Sequence, residues 1–185
     1  VDHLHLEDSV PLLGMPSIWE TEQLDGTGVH IGIVDSGIDY IHASFGGPGT
    51  AEAYEANDPS LIDDTYEDKP LFPTSKVVGG YDFVGSDYNP ATSDLPVPDT
   101  DPIPDGEWDG DNWVLSGHGT HVAATAAGMA HGDVHAGVAP GAHLWALKVF
   151  ANGSTTMTLT AVDWATDPNQ DGDLSDALDV LNVLN

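Results

Sequence analysis

The 185-residue chain has no cysteine and no arginine, and its only cations besides histidine are Lys69, Lys76 and Lys148. Without cysteine there are no disulfides, no thiolate zinc sites and no cysteine nucleophile, while the redox compartment stays undetermined. With Lys+Arg 3 against Asp+Glu 31 the formal net charge is -28. Nucleic acid and anionic membrane surfaces need clusters of Lys and Arg to replace counterions, so both are poor partners. Cations are good ones. Self-repulsion on this scale is tolerable in high salt or with bound calcium. No apolar run approaches the length of a membrane span, and no charged-then-apolar leader stands at Val1.

Most of the carboxylates fall between Glu52 and Asp111 and between Asp163 and Asp179, interleaved with aromatic residues. That reads as solvated loops or cation sites rather than a disordered tail. The lead-in, Val1 to Gln23, is broken into short pieces by Pro11 and Pro16, and Pro16 to Glu20 suits a helical turn with Trp19 anchored in the body. Asp25-Gly-Thr-Gly28 is turn chemistry feeding Val29-His-Ile-Gly-Ile-Val34, a β-branched run suited to a strand covered on both faces. The run stops on Asp35-Ser36-Gly37, either a site at the carboxyl end of a parallel strand or a simple turn cap.

From Ile38 to Trp113 glycine and proline dominate, predicting one strand, 76–84, within long surface loops. Then comes Ser116-Gly-His-Gly-Thr-His-Val-Ala-Ala-Thr-Ala-Ala-Gly128, a histidine between two glycines followed by small residues. The glycines admit close approach of substrate backbone and the small residues allow a helix to pack tightly on a sheet. A buried helix with one satisfied histidine at its start fits the same stretch. Val138 to Gly141 is a turn and His143 to Phe150 a strand. Ser154 or Thr155 caps a helix through Thr166, and Leu178 to Leu184 is a further strand. Strands alternating with helices predict an α/β fold, a doubly wound parallel sheet.

Val34-Asp-Ser-Gly-Ile-Asp39 followed by Gly117-His-Gly-Thr-His-Val-Ala123 resembles the subtilisin-like serine peptidases, the subtilases, in order as well as content. Gly26 to Asp35, Gly137 to Ala142, Leu147 to Val149 and Asp179 to Asn182 extend the resemblance over most of the chain outside 38–113. It implies a subtilisin-like three-layer α/β/α domain, with 1–24 as lead-in, 25–185 as the N-terminal part of the catalytic domain, and long acidic loops at 46–75 and 85–113. It implies hydrolysis of protein or peptide bonds through an Asp-His-Ser triad, with His118 as general base and Asp35 orienting it. It also implies a secreted protein whose signal peptide and propeptide lie outside this sequence. His121, one turn beyond His118, is expected to pack or bond within the helix.

Departures from the family pattern are Ala124 in place of glycine and Ser44 in place of a calcium-binding aspartate. No serine box occurs, so the chain is expected to be a truncated domain that is inactive alone and completed by its own downstream serine segment. A separate stretch, Asp167, Asn169, Asp171, Asp173 and Asp176 around Gly172, spaces oxygen ligands as a structural calcium loop would. It is not an EF-hand, because Leu178 stands where the bidentate glutamate belongs. No cofactor is expected for catalysis. Two other function classes remain at this stage. A metal-dependent hydrolase would use His118, His121 and a carboxylate, but it lacks the glutamate of His-Glu-x-x-His. A calcium-stabilised binding module would have no catalysis.

Overall fold

The computed structural model describes residues 6–89, 91–92, 95–109, 112–151, 155–173 and 181–185, with only the backbone described at 107–109 and 112–115. The expected cap Ser154, the ligand Asp176 and the first three residues, 178–180, of the strand expected from Leu178 lie outside the described residues.

Two short helices lead in, α1 (Leu6–Leu12) and α2 (Met15–Thr21). Pro11 was expected to break the chain, yet it sits inside α1; the break comes at Gly14, which is left-handed (φ 75). In so short a helix one missing N–H removes little, so the proline is tolerated near the end. The Trp19 indole N–H donates to the Val138 carbonyl at 3.1 Å, tying this lead-in to the body.

The centre is a parallel sheet of β1 (His30–Asp35), β4 (Val77–Asp82), β7 (His143–Lys148) and β8 (Val183–Leu184), in the order β4-β7-β1-β8. Helix α4 (His118–Ala127) covers one face through Ala123 and Ala127, which meet Ile31, Ile33, Leu144 and Ala146. Helix α5 (Thr158–Trp164) covers the other, where Ala161, Ala165 and Trp164 meet Leu147, Val149 and Phe83. Along β7 the residues 144 and 146 therefore face α4 while 147 and 149 face α5, which is why the strand reads as nearly continuous apolar sequence. This is the expected three-layer α/β/α arrangement. Helix α5 is shorter than predicted. It begins after Met157, which makes no side-chain cap, while the Thr155 hydroxyl accepts from Met157 N at 2.9 Å one turn too early.

The stretch 38–113, predicted as surface loop around one strand, is more structured than that. It contains a 3₁₀ turn (Ala43–Phe45), helix α3 (Ala51–Glu55), the hairpin β2 (Thr65–Tyr66) and β3 (Lys69–Pro70), and the hairpin β5 (Gly106–Asp109) and β6 (Asn112–Leu115). It also supplies core. Ile38, Tyr40, Ile41, Phe45, Ala53, Leu71, Phe72 and Ile103 are buried in one cluster with the α4 face of the sheet. At about 1.5–3 kcal/mol for each large side chain buried, this segment is a main contributor to stability. Its apolar residues have no helix or strand period, so the pattern reading passed over them.

Two of the three lysines are buried. Lys148 Nζ lies 2.7 Å from Asp82 Oδ2 and 2.8 Å from Asp105 Oδ1, with no exposure of its side chain. Burial works against that ammonium, but the charges of Asp82 and Asp105 outweigh it and raise its pKa. Lys76 Nζ donates to the carbonyls of Pro140 (2.7 Å) and Ala142. Its burial, only partly opposed by Asp25, lowers its pKa to about 8. Among the described residues no helix is long and apolar enough to cross a membrane.

Candidate active site

Asp35 is the last residue of β1, at the carboxyl end of the sheet, and His118 is the first residue of α4. His118 Nδ1 lies 2.7 Å from Asp35 Oδ1 and 2.9 Å from Oδ2. The Asp35 side chain is 13% exposed and that of His118 is 76% exposed, so the ring is held from below and open above. Asp35 is fixed in turn: Oδ1 accepts from Ser36 N at 2.7 Å, and its carbonyl accepts from Val149 N at 2.8 Å. Two residues expected from sequence to act together are thus adjacent in space.

Three contacts hold them so. Helix α4 starts at Gly117, which has no side chain to cap it. Ser36 Oγ accepts from Gly119 N at 3.0 Å and does the capping from across the molecule. Thr120 Oγ1 accepts from Asp39 N at 3.0 Å, a second tie between the same two segments. Gly119 is buried, and a Cβ built on it would sit against the Gly37 carbonyl oxygen and 3.1 Å from Asp35 Cβ. The two glycines were expected to admit substrate backbone. Only Gly117 has open space around it; Gly119 instead lets α4 approach the turn after β1.

His121 is exposed, and its carbonyl accepts from Thr125 Oγ1 at 2.9 Å. Nothing brings it to His118 and a carboxylate: among the described residues no three His, Asp or Glu side chains converge as metal ligands. That includes the acidic loop. Asp167 Oδ1 accepts from Asp171 N and Oδ2 from Gly172 N, both at 3.1 Å, while Asn169 Oδ1 accepts from Asp171 N at 3.1 Å and Asp171 Oδ1 from Asp173 N at 2.8 Å. The donors are the hard oxygens calcium prefers, but here they are spent on the loop's own N–H groups. Ser44 is buried with no hydrogen-bond partner for its hydroxyl.

Around the pair lie residues that the sequence reading did not single out for the site. Asp39 is nearly buried; burial raises its pKa against the hydrogen bond it accepts from the Tyr54 hydroxyl at 2.7 Å. Behind it, Asp101 accepts from the Tyr40 hydroxyl at 2.9 Å and is pushed by burial to about 7, and burial pushes Asp99 to about 6. The Lys148–Asp105 pair holds the 101–106 segment against the core, and Ile38 N donates to Pro102 O at 3.2 Å. The Asp-Ser-Gly turn was a sufficient signal for Ser36. The charges at 99–105 needed the fold.

The sequence matches the Subtilase family over residues 26–183. It is 32% identical over 178 residues to the minor extracellular protease Vpr of Bacillus subtilis (strain 168), an alignment covering 96% of this chain and 16% of that protein. To subtilisin DY of Bacillus licheniformis it is 28% identical over 178 residues, covering 94% of this chain and 42% of that protein. The chain therefore spans well under half the length of these two relatives. With the family matched across nearly the whole chain, and an aspartate and a histidine paired at the carboxyl edge of its parallel sheet, this chain belongs to the subtilase family.

Proposed function

We propose that this chain is the part of a secreted serine endopeptidase that carries the acid and the base of an Asp-His-Ser triad. The observation that carries the reading is the Asp35–His118 contact, with the rest of the ring open. With the Nδ1 proton donated to Asp35, Nε2 holds the lone pair. It takes the proton from a serine hydroxyl as that oxygen attacks the scissile carbonyl, then gives it to the leaving amine. Asp35 stays ionised, holds the ring in the right tautomer and stabilises the imidazolium formed in between. Water then releases the acyl group by the same proton relay.

The nucleophile and the oxyanion donors belong, in this reading, to a serine segment outside these 185 residues, and the 185 residues alone are inactive. Substrates are proteins or peptides. Secretion is supported by the name of the Vpr relative. Calcium bound by Asp167, Asn169, Asp171, Asp173 and Asp176 is kept as a structural proposal, supported by the oxygen donor set, and no catalytic step passes through it. The test is labelling of the full-length protein with a serine-directed fluorophosphonate. One modified serine with loss of peptide hydrolysis supports the reading. Inhibition by chelators without labelling, or neither activity nor labelling, rejects it in favour of a metal hydrolase or a binding module.

A further inference from the structure

An open cleft of ≈ 820 Å³ adjoins the paired residues, and its wall includes Gly117 and Thr120, the residues flanking His118 and Gly119. Its floor is apolar, from Ile41, Ile103 and Pro104, all buried. The remaining wall brings in three carboxylates, Asp39, Asp87 and Asp105. Apart from Gly117 and Thr120, these groups come from the 38–113 stretch, so the cleft is shaped mainly by the part of the chain least like a regular α/β unit.

Of these carboxylates Asp105 is paired with Lys148, while among the described residues no lysine pairs with Asp39 or Asp87. Lys148 is closed between Asp82 and Asp105, two negative charges on one positive, which leaves the trio net negative. Lys76 is engaged with the carbonyls of Pro140 and Ala142, and Lys69 is exposed in β3. Asp87 is exposed and has no hydrogen-bond or ion-pair partner among the described residues. The volume accepts any side chain, so size does not discriminate; charge does.

We propose that this cleft is a substrate subsite that selects a lysine or arginine beside the scissile bond. The proposal rests on the reading of Asp35 and His118 as part of a serine peptidase. A long cationic side chain lays its methylenes along the apolar floor and carries its charged head to the carboxylates. An aliphatic side chain covers the same floor but desolvates those carboxylates without pairing them, and an acidic one is repelled.

The test uses the full-length protein and peptides identical except at the residues next to the scissile bond, set in turn to Lys, Arg, norleucine, Gln and Glu. The subsite predicts kcat/KM for Lys or Arg about tenfold or more above norleucine, the range a single pocket contact supplies. Asp87→Lys removes that preference and raises the Glu peptide relative to the Lys and Arg peptides. Asp39→Asn, checked for an unchanged thermal midpoint, weakens the preference in the same direction. Equal rates across the series in the unmodified protein, or an Asp87→Lys variant slowed alike on every peptide, overturn the subsite and leave the peptidase reading standing. Absence of both cleavage and fluorophosphonate labelling overturns the two together.

Discussion

Gly119 N donates to Ser36 Oγ at 3.0 Å, so the residue that follows Asp35 caps the helix that begins with His118. The relative position of the pair therefore depends on that hydroxyl and on the missing side chain of the residue it caps, together with the Asp39 N–Thr120 Oγ1 bond. Ser36→Ala is expected to cost about 1 kcal/mol of stability, the usual value of a lost cap. Gly119→Ala drives a methyl into the Gly37 carbonyl and Asp35. It should cost about 1–3 kcal/mol as an overpacking change. It should also lower turnover by ~10²-fold by moving the imidazole off its partner. Denaturation and peptide hydrolysis of both variants measure this; a fully active Gly119→Ala protein would show that the close approach is unnecessary.

The buried ion trio makes a separate prediction about stability. Lys148→Met fills the same space but leaves Asp82 and Asp105 without their cation, both oxygens of the contact lying within 2.8 Å of Nζ at present. The expected loss is about 3–5 kcal/mol, because an uncompensated buried charge remains. Asp82→Asn combined with Lys148→Met should recover part of it. Denaturant midpoints of the single and double variants decide; a neutral Lys148→Met would show that the trio contributes nothing.

Stability should also depend on pH in a defined sense. Burial raises Asp99 to about 6 and Asp101 to about 7 from an ordinary value of 3.8. The folded chain thus keeps protons that the unfolded chain has already released. The contribution is fully present below the ordinary carboxylate pKa and is lost as pH rises through 6 and 7. The thermal midpoint is expected to fall between about pH 5 and pH 8, and Asp101→Asn should flatten that fall while keeping the hydrogen bond from Tyr40. A midpoint that rises over the same interval would contradict it.

Calcium is expected to raise the thermal midpoint of the intact protein, and Asp171→Ala with Asp173→Ala should remove much of the increment. At a concentration ~100-fold above Kd the stabilisation is about 2.7 kcal/mol. A midpoint indifferent to calcium and to EDTA would remove the metal from the account.

Much of the site was legible before the fold was known, and for a physical reason. A β-branched run ending in Asp35-Ser-Gly, and a histidine opening a run of alanines, are local patterns, and each marks an element end by its own chemistry. The strands at β4 and β7 were visible in the same way. Ile38, Tyr40, Phe45 and Ile103 were not, since their burial depends on contacts distant in sequence and follows no period. Nor was the role of Gly119, because a glycine that admits substrate and a glycine that admits another backbone look alike in sequence. The start of α5 was misjudged because Ser154 and Thr155 both have cap chemistry, whereas the helix begins three residues beyond Thr155. Lys148 read only as part of a strand, and its pairing with Asp105 required the 101–106 segment to fold back over the sheet.

The most direct measurement of the central claim is the rate of fluorophosphonate labelling and peptide hydrolysis by the full-length protein and its Asp35→Asn and His118→Ala variants. If the contact between these side chains is the base of a triad, His118→Ala lowers turnover by roughly 10⁶-fold, the scale on which serine-peptidase triads fail without their base. Asp35→Asn lowers it by roughly 10⁴-fold, by holding the wrong tautomer. Variants that fold normally and still label and hydrolyse at the parent rate would contradict the claim.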